Sequence, residues 1–320
     1  MDGLLIVDKP SGPTSHDVVA RLRRVLRERR IGHTGTLDPL ATGVLPLVVG
    51  RATRLARFLN ASDKAYDAVI ALGCATDTGD RLGTPIARAT SGEAPAIGRD
   101  AIERALDGFR GTYLQQPPVY SAKKIGGRRS YALARAGSVS KSVPESVPLR
   151  PQSVTVHRLE LIAVEGNLVT LGLDCSAGFY VRSLAHDLGE RLGTGAHLAE
   201  LRRTRSGDYT VDDAMPLDAA ERDPGVTAER LIPLSQMLRR LPAVELTADG
   251  ARRARNGQDV ELGLGIGDSG FGTKNAECEF LVPNPKSRSF VRLLDPAGEL
   301  VGIAEATGVA GLLHPFVVLG

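Results

Sequence analysis

Gly32-His33-Thr34-Gly35-Thr36-Leu37-Asp38-Pro39-Leu40-Ala41-Thr42-Gly43-Val44-Leu45 has no helical or strand period as far as Gly43. Glycines at 32, 35 and 43 and the proline at 39 mark it as loop. Asp38 stands between Leu37 and Pro39. Proline removes a backbone donor and restricts the residue before it to extended geometry, so Asp38 has little freedom. The glycines allow backbone to approach a ligand closely. A chain can fix one carboxylate at the floor of a cleft in this way. The same residues also read as an Asx turn that caps the next few residues. Taken by themselves they favour that plainer reading.

Upstream, Leu4–Val7 is an apolar strand ending at Asp8-Lys9-Pro10, and Pro10, Gly12 and Pro13 make a turn. Ser15 is placed to cap a helix, with Asp17 in its first turn. Val18, Leu22, Val25 and Leu26 give that helix an apolar face, and six arginines between Arg21 and Arg30 give it a basic one. Gly32 is the expected stop. Downstream, Val44–Val49 reads as a buried strand and Arg51–Leu59 as a helix. Further strands are expected at Tyr66–Leu72, Val154–Leu161 and Leu168–Cys175, and helices at Ala101–Phe109 and Tyr180–Leu192. The order lacks a clean βαβ repeat, which points to an α+β fold: a mixed, mainly antiparallel sheet with flanking helices. Residues 117–148 are basic and then rich in Ser, Pro and Gly, and read as a projecting segment that orders on a ligand. A boundary near Leu234–Pro242 precedes a smaller β-rich unit. Its strands are expected at Val244–Leu246, Glu279–Val282, Val291–Leu294 and Leu300–Glu305, with a turn at Pro296-Ala297-Gly298.

A second segment, Cys175-Ser176-Ala177-Gly178-Phe179-Tyr180-Val181-Arg182, runs from strand into helix. Arg182 falls in the first helical turn, where a cation opposes the macrodipole. A buried carboxylate partner is one reason for it; a plain surface arginine is the other reading.

At 42% hydrophobic and 24% charged, the 320-residue chain has the composition of a globular protein, with length for two domains. Net charge is only +3, but basic residues cluster, at Arg21–Arg30, at Lys123, Lys124, Arg128, Arg129 and Arg135, at Arg202, Arg203 and Arg205, and at Arg252, Arg253 and Arg255. Each cluster alone reads as a solvated face; together they point to a polyanion. Three distant cysteines give neither a disulfide framework nor a zinc pattern. The six histidines are scattered, so no metal is expected. Gly265–Gly270 matches G-x-G-x-x-G without the strand and helix that give the pattern meaning. The start has no basic region and too short an apolar run for a signal peptide or membrane span.

Together these segments resemble the TruB family of pseudouridine synthases. The resemblance runs through Asp8-Lys9-Pro10-Ser11-Gly12-Pro13-Thr14-Ser15, Gly32–Leu45, Lys64-Ala65-Tyr66, Pro117–Lys124, Gly178–Arg182 and Gly195–Arg203. It implies the pseudouridine synthase fold over residues 1–238, with a thumb at about 117–148, and an RNA-binding PUA-like domain over 239–320. It implies isomerisation of uridine 55 in the T-arm of tRNA, with no cofactor, metal or guide RNA expected. The scattered cysteines fit a cytoplasmic protein, and a monomer is the default expectation. Asp38 is then the catalytic carboxylate, as nucleophile or proton-handling group. Arg182 pairs with it and keeps it ionised. Tyr66 stacks on the flipped base, Tyr180 and Leu201 complete the pocket, and His33 helps extract the base. Lys9 and Pro10 support the Asp38 loop. Lys124, Arg128, Arg129, Arg202 and Arg203 are expected on RNA. Phe179 departs from the family pattern, where a small polar residue is common, and Gly263–Arg288 is longer than in typical bacterial relatives. The RNA-guided branch of the superfamily, whose chains carry extra basic tails, is the alternative enzyme. A catalytically idle RNA-binding protein is the alternative outside enzymes.

Overall fold

The computed structural model describes residues 1–88, 97–118, 150–261, 290–307 and 311–320, with the backbone of 124–125 and 128–129. The chain opens with β1 (Gly3–Lys9), α1 (Ser15–Val25), β2 (Ile31–His33), β3 (Thr42–Val49), α2 (Ala56–Asn60) and β4 (Lys64–Leu72). The ribbon β5 (Cys74–Thr76) and β6 (Pro85–Arg88), helix α3 (Arg99–Asp107) and β7 (Gly111–Gln115) come next. Then come β8 (Lys124–Ile125), β9 (Arg128–Arg129), β10 (Gln152–Glu165), β11 (Leu168–Cys175), α4 (Val181–Arg191) and β12 (Ala196–Ser206). Short elements β13 (Tyr209–Thr210), β14 (Met215–Pro216), α5 (Leu217–Arg222) and α6 (Pro224–Glu229) close this part.

A ten-stranded mixed sheet is the scaffold, in the order β14-β1-β3-β12-β4-β11-β10-β7, with β2 on β3 and β13 on β12. β1 with β14 and β3 with β12 are parallel. The other pairings in this sheet are antiparallel. Both faces of β1 are buried: Leu5 and Val7 join the core under α1, α3 and α4, while Leu4 and Ile6 join the one on the opposite face. That double burial explains its unbroken apolar run.

Several expectations shift. Thr14, not Ser15, caps α1 through a reciprocal box with Asp17, which leaves the Ser15 hydroxyl for another partner. The helix ends at Val25, before Gly32: Leu26 closes it and Arg27 turns into the left-handed region at φ 50°. Gly32 sits inside β2, so the loop that holds Asp38 is shorter than expected, from residue 34 to 41. The largest revision is β12, a central strand that the sequence reading did not assign. Its Ala, Leu, Glu and Arg content favours helix. Irregular register between Leu198 and Glu200 and between Arg203 and Arg205 breaks the alternation that would have revealed it.

The last part forms a separate five-stranded sheet from β15 (Ala243–Glu245), β16 (Val260–Glu261), β17 (Phe290–Leu294), β18 (Leu300–Ala306) and β19 (Leu312–Val318). Helix α7 (Ala248–Arg255), unassigned from sequence, packs on it and is capped by Thr247. The expected turn at 296–298 is present: the Asp295 carboxylate accepts from the Ala297 and Glu299 amides, both at 3.0 Å. This unit is seated on the first through Phe58, Phe290 and Phe316, with Arg57 over the Phe316 ring at 4.5 Å. The strand expected at 279–282, the Gly265–Gly270 match and nearly all of the 117–148 segment lie outside the described residues. No helix among the described residues is long and apolar enough to cross a membrane.

Candidate active site

The Asp38 loop is fastened from two sides. The Ser15 hydroxyl, buried at the start of α1, accepts the Leu37 amide at 2.8 Å and bonds the Leu37 carbonyl at 3.0 Å. Lys9 is 0% exposed, and its Nζ donates to the Pro10 and Pro13 carbonyls at 2.8 Å each. The Gly12 amide in that turn donates to the Pro39 carbonyl at 2.8 Å. Burial pulls the Lys9 pKa down to about 8. Leu37 and Leu40 are buried beside Asp38, so the loop cannot roll without exposing them. Lys9 and Pro10 thus sit in the turn that holds this loop.

Asp38 opens onto a cleft of about 230 Å³. It is lined by loop residues 35–38, by Tyr66, Leu201 and Arg203 from the sheet, and by Gly178, Phe179, Tyr180 and Arg182. Arg182 Nε lies 2.9 Å from Asp38 Oδ2, and its Nη1 donates to the Thr78 carbonyl at 2.9 Å. The sequence reading had not found the turn that supplies this carbonyl. Within it Asp80, itself buried, accepts from Thr78 Oγ1 at 2.8 Å and from the Leu82 amide at 3.0 Å. Thr76-Asp77-Thr78-Gly79-Asp80 carries turn chemistry that could have flagged it. Gln115, also missed, locks the wall at Tyr180: its amide accepts from Tyr180 N at 2.8 Å and donates to Tyr180 O at 3.0 Å. Arg182 pairs with Asp38 as expected and lowers its proton affinity, but it is not the largest influence on that carboxyl. Burial is the largest influence and moves the carboxyl above its ordinary value; Arg182 opposes it, and Asp80 adds to it. The result is a carboxylate whose proton affinity is raised and whose position is fixed, open to the cleft on one side.

Comparison with known proteins fits this geometry. The description "TruB family pseudouridylate synthase (N terminal domain)" matches residues 23–181, and "tRNA pseudouridylate synthase B C-terminal domain" matches 182–242. The tRNA pseudouridine synthase B of Solibacter usitatus is 41% identical over 100% of both chains. That of Corynebacterium aurimucosum is 45% identical over 81% of this chain and 84% of its own. The chain belongs to the TruB family of pseudouridine synthases. It is accordingly an enzyme, an isomerase. Two solved structures share the fold: a chain of an H/ACA ribonucleoprotein bound to a substrate RNA containing 2'-deoxyuridine, and one of a Cbf5-Nop10-Gar1 complex. Each has a TM-score of 0.68 at 24% identity, covering 99% of this chain and 85% of the other.

Within the TruB-family cleft, Tyr66, Tyr180, Arg182 and Leu201 are brought together around Asp38. His33 is not in the cleft wall; it stands on β2, edge-on to His16 with ring centroids 5.2 Å apart. Arg202 and Arg203 part company. Arg202 reaches outward, with its side chain 41% exposed, and grips Asp8 at 2.8 and 3.1 Å. Arg203 is 1% exposed and lies at the base of the cleft, donating to the Val44 carbonyl at 2.7 Å and the Gly35 carbonyl at 3.0 Å. It is therefore corrected from an outer phosphate contact to part of the cleft floor. Gly43 makes room for it: at φ 99°, an added Cβ would sit 2.2 Å from the Arg203 carbonyl oxygen. This glycine serves strand packing, not the ligand approach expected of it. Phe179 packs into the core at the cleft wall, which accounts for an apolar residue there. Lys124, Arg128 and Arg129 lie on the paired β8 and β9, and their side chains are outside the described residues. Among the described residues, no group of three or more His, Cys, Asp or Glu side chains could hold a metal ion.

Proposed function

We propose that this TruB-family enzyme converts uridine 55 in the T-arm of tRNA to pseudouridine, with Asp38 as the essential carboxylate. The observation that carries the reading is Asp38 held 2.9 Å from the buried Arg182, in a cleft walled by Tyr66, Tyr180 and Leu201. The curated relatives named as tRNA pseudouridine synthase B support the substrate class. In the reaction the N1–C1′ bond breaks, the base turns, and a C5–C1′ bond forms. One proton leaves C5 and one joins N1, so no electrons are gained or lost and no cofactor is called for. Asp38 acts at C1′ or C6, or handles a proton beside a glycal intermediate. Tyr66 stacks on the extruded base and takes part in proton transfer, and His33 assists extrusion from outside the cleft wall. Extruding a loop base costs a few kcal/mol, less than extruding one from a duplex.

Residues 1–238 act as the catalytic domain and 239–320 as a PUA-like RNA-binding domain, with 117–148 as a thumb. Arg202 and the cations at 124, 128 and 129 contact RNA phosphates. The enzyme works in the cytoplasm as a monomer without guide RNA. The test is tritium release from unmodified tRNA carrying 5-tritiated uridine, with no other RNA present, beside filter binding of the same tRNA. Asp38→Asn is expected to abolish release and keep affinity within several-fold, because phosphate contacts carry most of the binding. Asparagine still accepts from Arg182 but is a far weaker nucleophile or proton acceptor. Turnover retained by Asp38→Asn removes Asp38 from the mechanism.

A further inference from the structure

Helix α4 brings Arg182 to Asp38, yet its own sequence gives that helix a weak start. Tyr180 is the N-cap, at φ −116° and ψ 112°, and its side chain makes no capping bond. Tyrosine is not among the residues that cap well. Arg182 puts a cation in the first turn, where the macrodipole favours an anion. The support comes from outside the helix. Gln115, the last residue of β7, is 2% exposed. Its Oε1 accepts from the Tyr180 amide at 2.8 Å, and its Nε2 donates to the Tyr180 carbonyl at 3.0 Å. A backbone amide only donates and a carbonyl only accepts, so the two bonds fix which way round the side-chain amide stands. Paired residues of an antiparallel sheet exchange the same two bonds, so Gln115 holds Tyr180 as a neighbouring strand would. One residue on, the Ser183 hydroxyl donates to the Gln116 carbonyl at 2.7 Å. Gln115 itself is held in the sheet, opposite Gln152 of β10. The first turn of α4 is thus fastened at Tyr180 and at Ser183, and Arg182 lies between the two fastenings.

We propose that Gln115 is a positioning residue for the reaction: its amide sets the backbone at the start of α4 so that the Arg182 guanidinium reaches Asp38. The inference rests on the reading that this cleft isomerises a uridine at Asp38. Arg182 has two partners to satisfy at once, Asp38 Oδ2 at 2.9 Å from Nε and the Thr78 carbonyl at 2.9 Å from Nη1. One rigid, planar guanidinium makes both bonds, so a small turn or slide of the helix start loses one of them. A displacement of about 1 Å in a positioned group can cost on the order of 100-fold in rate. Ser183 fastens only the far side of the turn, and its hydroxyl rotates freely about its own bond. Gln115 is the fastening that sets orientation, because two bonds to one peptide fix direction as well as distance.

The test is a double-mutant cycle on single-turnover tritium release, with tRNA filter binding measured beside it. Gln115→Met keeps the length of the side chain and offers neither bond. It is expected to slow the chemical step by about 10- to 100-fold, the scale of a small misplacement. The Kd for tRNA should stay within about threefold, because a buried glutamine makes no outer phosphate contact. Gln115→Glu keeps the size and the acceptor but sets a second oxygen against the Tyr180 carbonyl. It should be at least as slow, and it serves if the methionine variant does not fold. A merely structural loss would multiply in any background. In the Arg182→Ala background, however, either Gln115 substitution should add no more than about threefold, because the group it positions is gone. A multiplicative loss in the double variant, a loss confined to Kd, or parental rates in both Gln115 variants would overturn the inference. Failure of the parent to release tritium, or activity in Asp38→Asn, sinks the broader reading instead.

Discussion

Two arginines are buried at this cleft, and they are buried in different ways. Arg182 enters from the first turn of α4 and meets a carboxylate, with Asp38 at 2.9 Å. Arg203 rises from the middle of β12 and meets neutral oxygens, the Val44 and Gly35 carbonyls. Removing the first leaves an anion without its counter-charge in a partly desolvated site. Removing the second leaves dipoles. The charge pair joins a loop to a helix start, while Arg203 takes one carbonyl from β3, at Val44, and one from the Asp38 loop, at Gly35.

Arg182→Ala is the hardest test of this contrast. Breaking a buried ion pair costs about 3–5 kcal/mol, and the lower end applies because Asp38 keeps contact with the open cleft. Turnover should fall by about 100-fold or more if that loss appears in the transition state. A rate near the parent's at neutral pH would show that the pair does not couple to chemistry.

The dipole side should break through its packing. Gly43→Ala forces a Cβ against the Arg203 carbonyl in a left-handed backbone conformation. A loss of about 3 kcal/mol or more is expected in urea unfolding, from strain and overpacking together. Turnover should fall with it, because β12 and the Arg203 guanidinium must shift. Unchanged stability would mean that β3 and β12 separate freely, and the contrast with the loop side would lose its basis.

The smallest effect concerns Lys9, a third cation satisfied by carbonyls. Its folded pKa is about 8 against an ordinary 10.5. Between those values the unfolded chain still holds a proton that the folded chain has released. The unfolded state thus binds more protons there, and Lys9's contribution to stability rises with pH through that window. Parent and Lys9→Met melting temperatures, measured at about pH 7.5 and 9.5, should diverge in the parent's favour at the higher pH. A constant difference would show that Lys9 titrates as an ordinary lysine.

The charge pair was legible only in part. A cation placed against the macrodipole suggested a carboxylate partner, with a surface arginine as the other reading, and the family resemblance was what named Asp38 as that partner. The floor was not legible. Arg202 and Arg203 are identical neighbours, and only strand register decides which points inward; register shifts in β12 hide that register from any alternation. Ser15 was recognised as a helix-start residue but given the wrong task, because a hydroxyl that can cap can equally tie down a loop. Gln115 acts through an amide pair with Tyr180, far away in the chain, and no local pattern encodes that pairing. Asp80 sits in a local turn whose residues could have flagged it.

The row Gly43–Arg203–Tyr66–Leu173 crosses four neighbouring strands, β3, β12, β4 and β11. A slip of β12 by one residue would turn Arg202 inward and Arg203 outward, since every side chain on a slipped strand changes face. The Asp8 clasp and the cleft floor would fail in the same event. Catalytic competence therefore doubles as proof of correct threading: after refolding from denaturant, the fraction of molecules that turn over counts those whose central strand docked in the right frame.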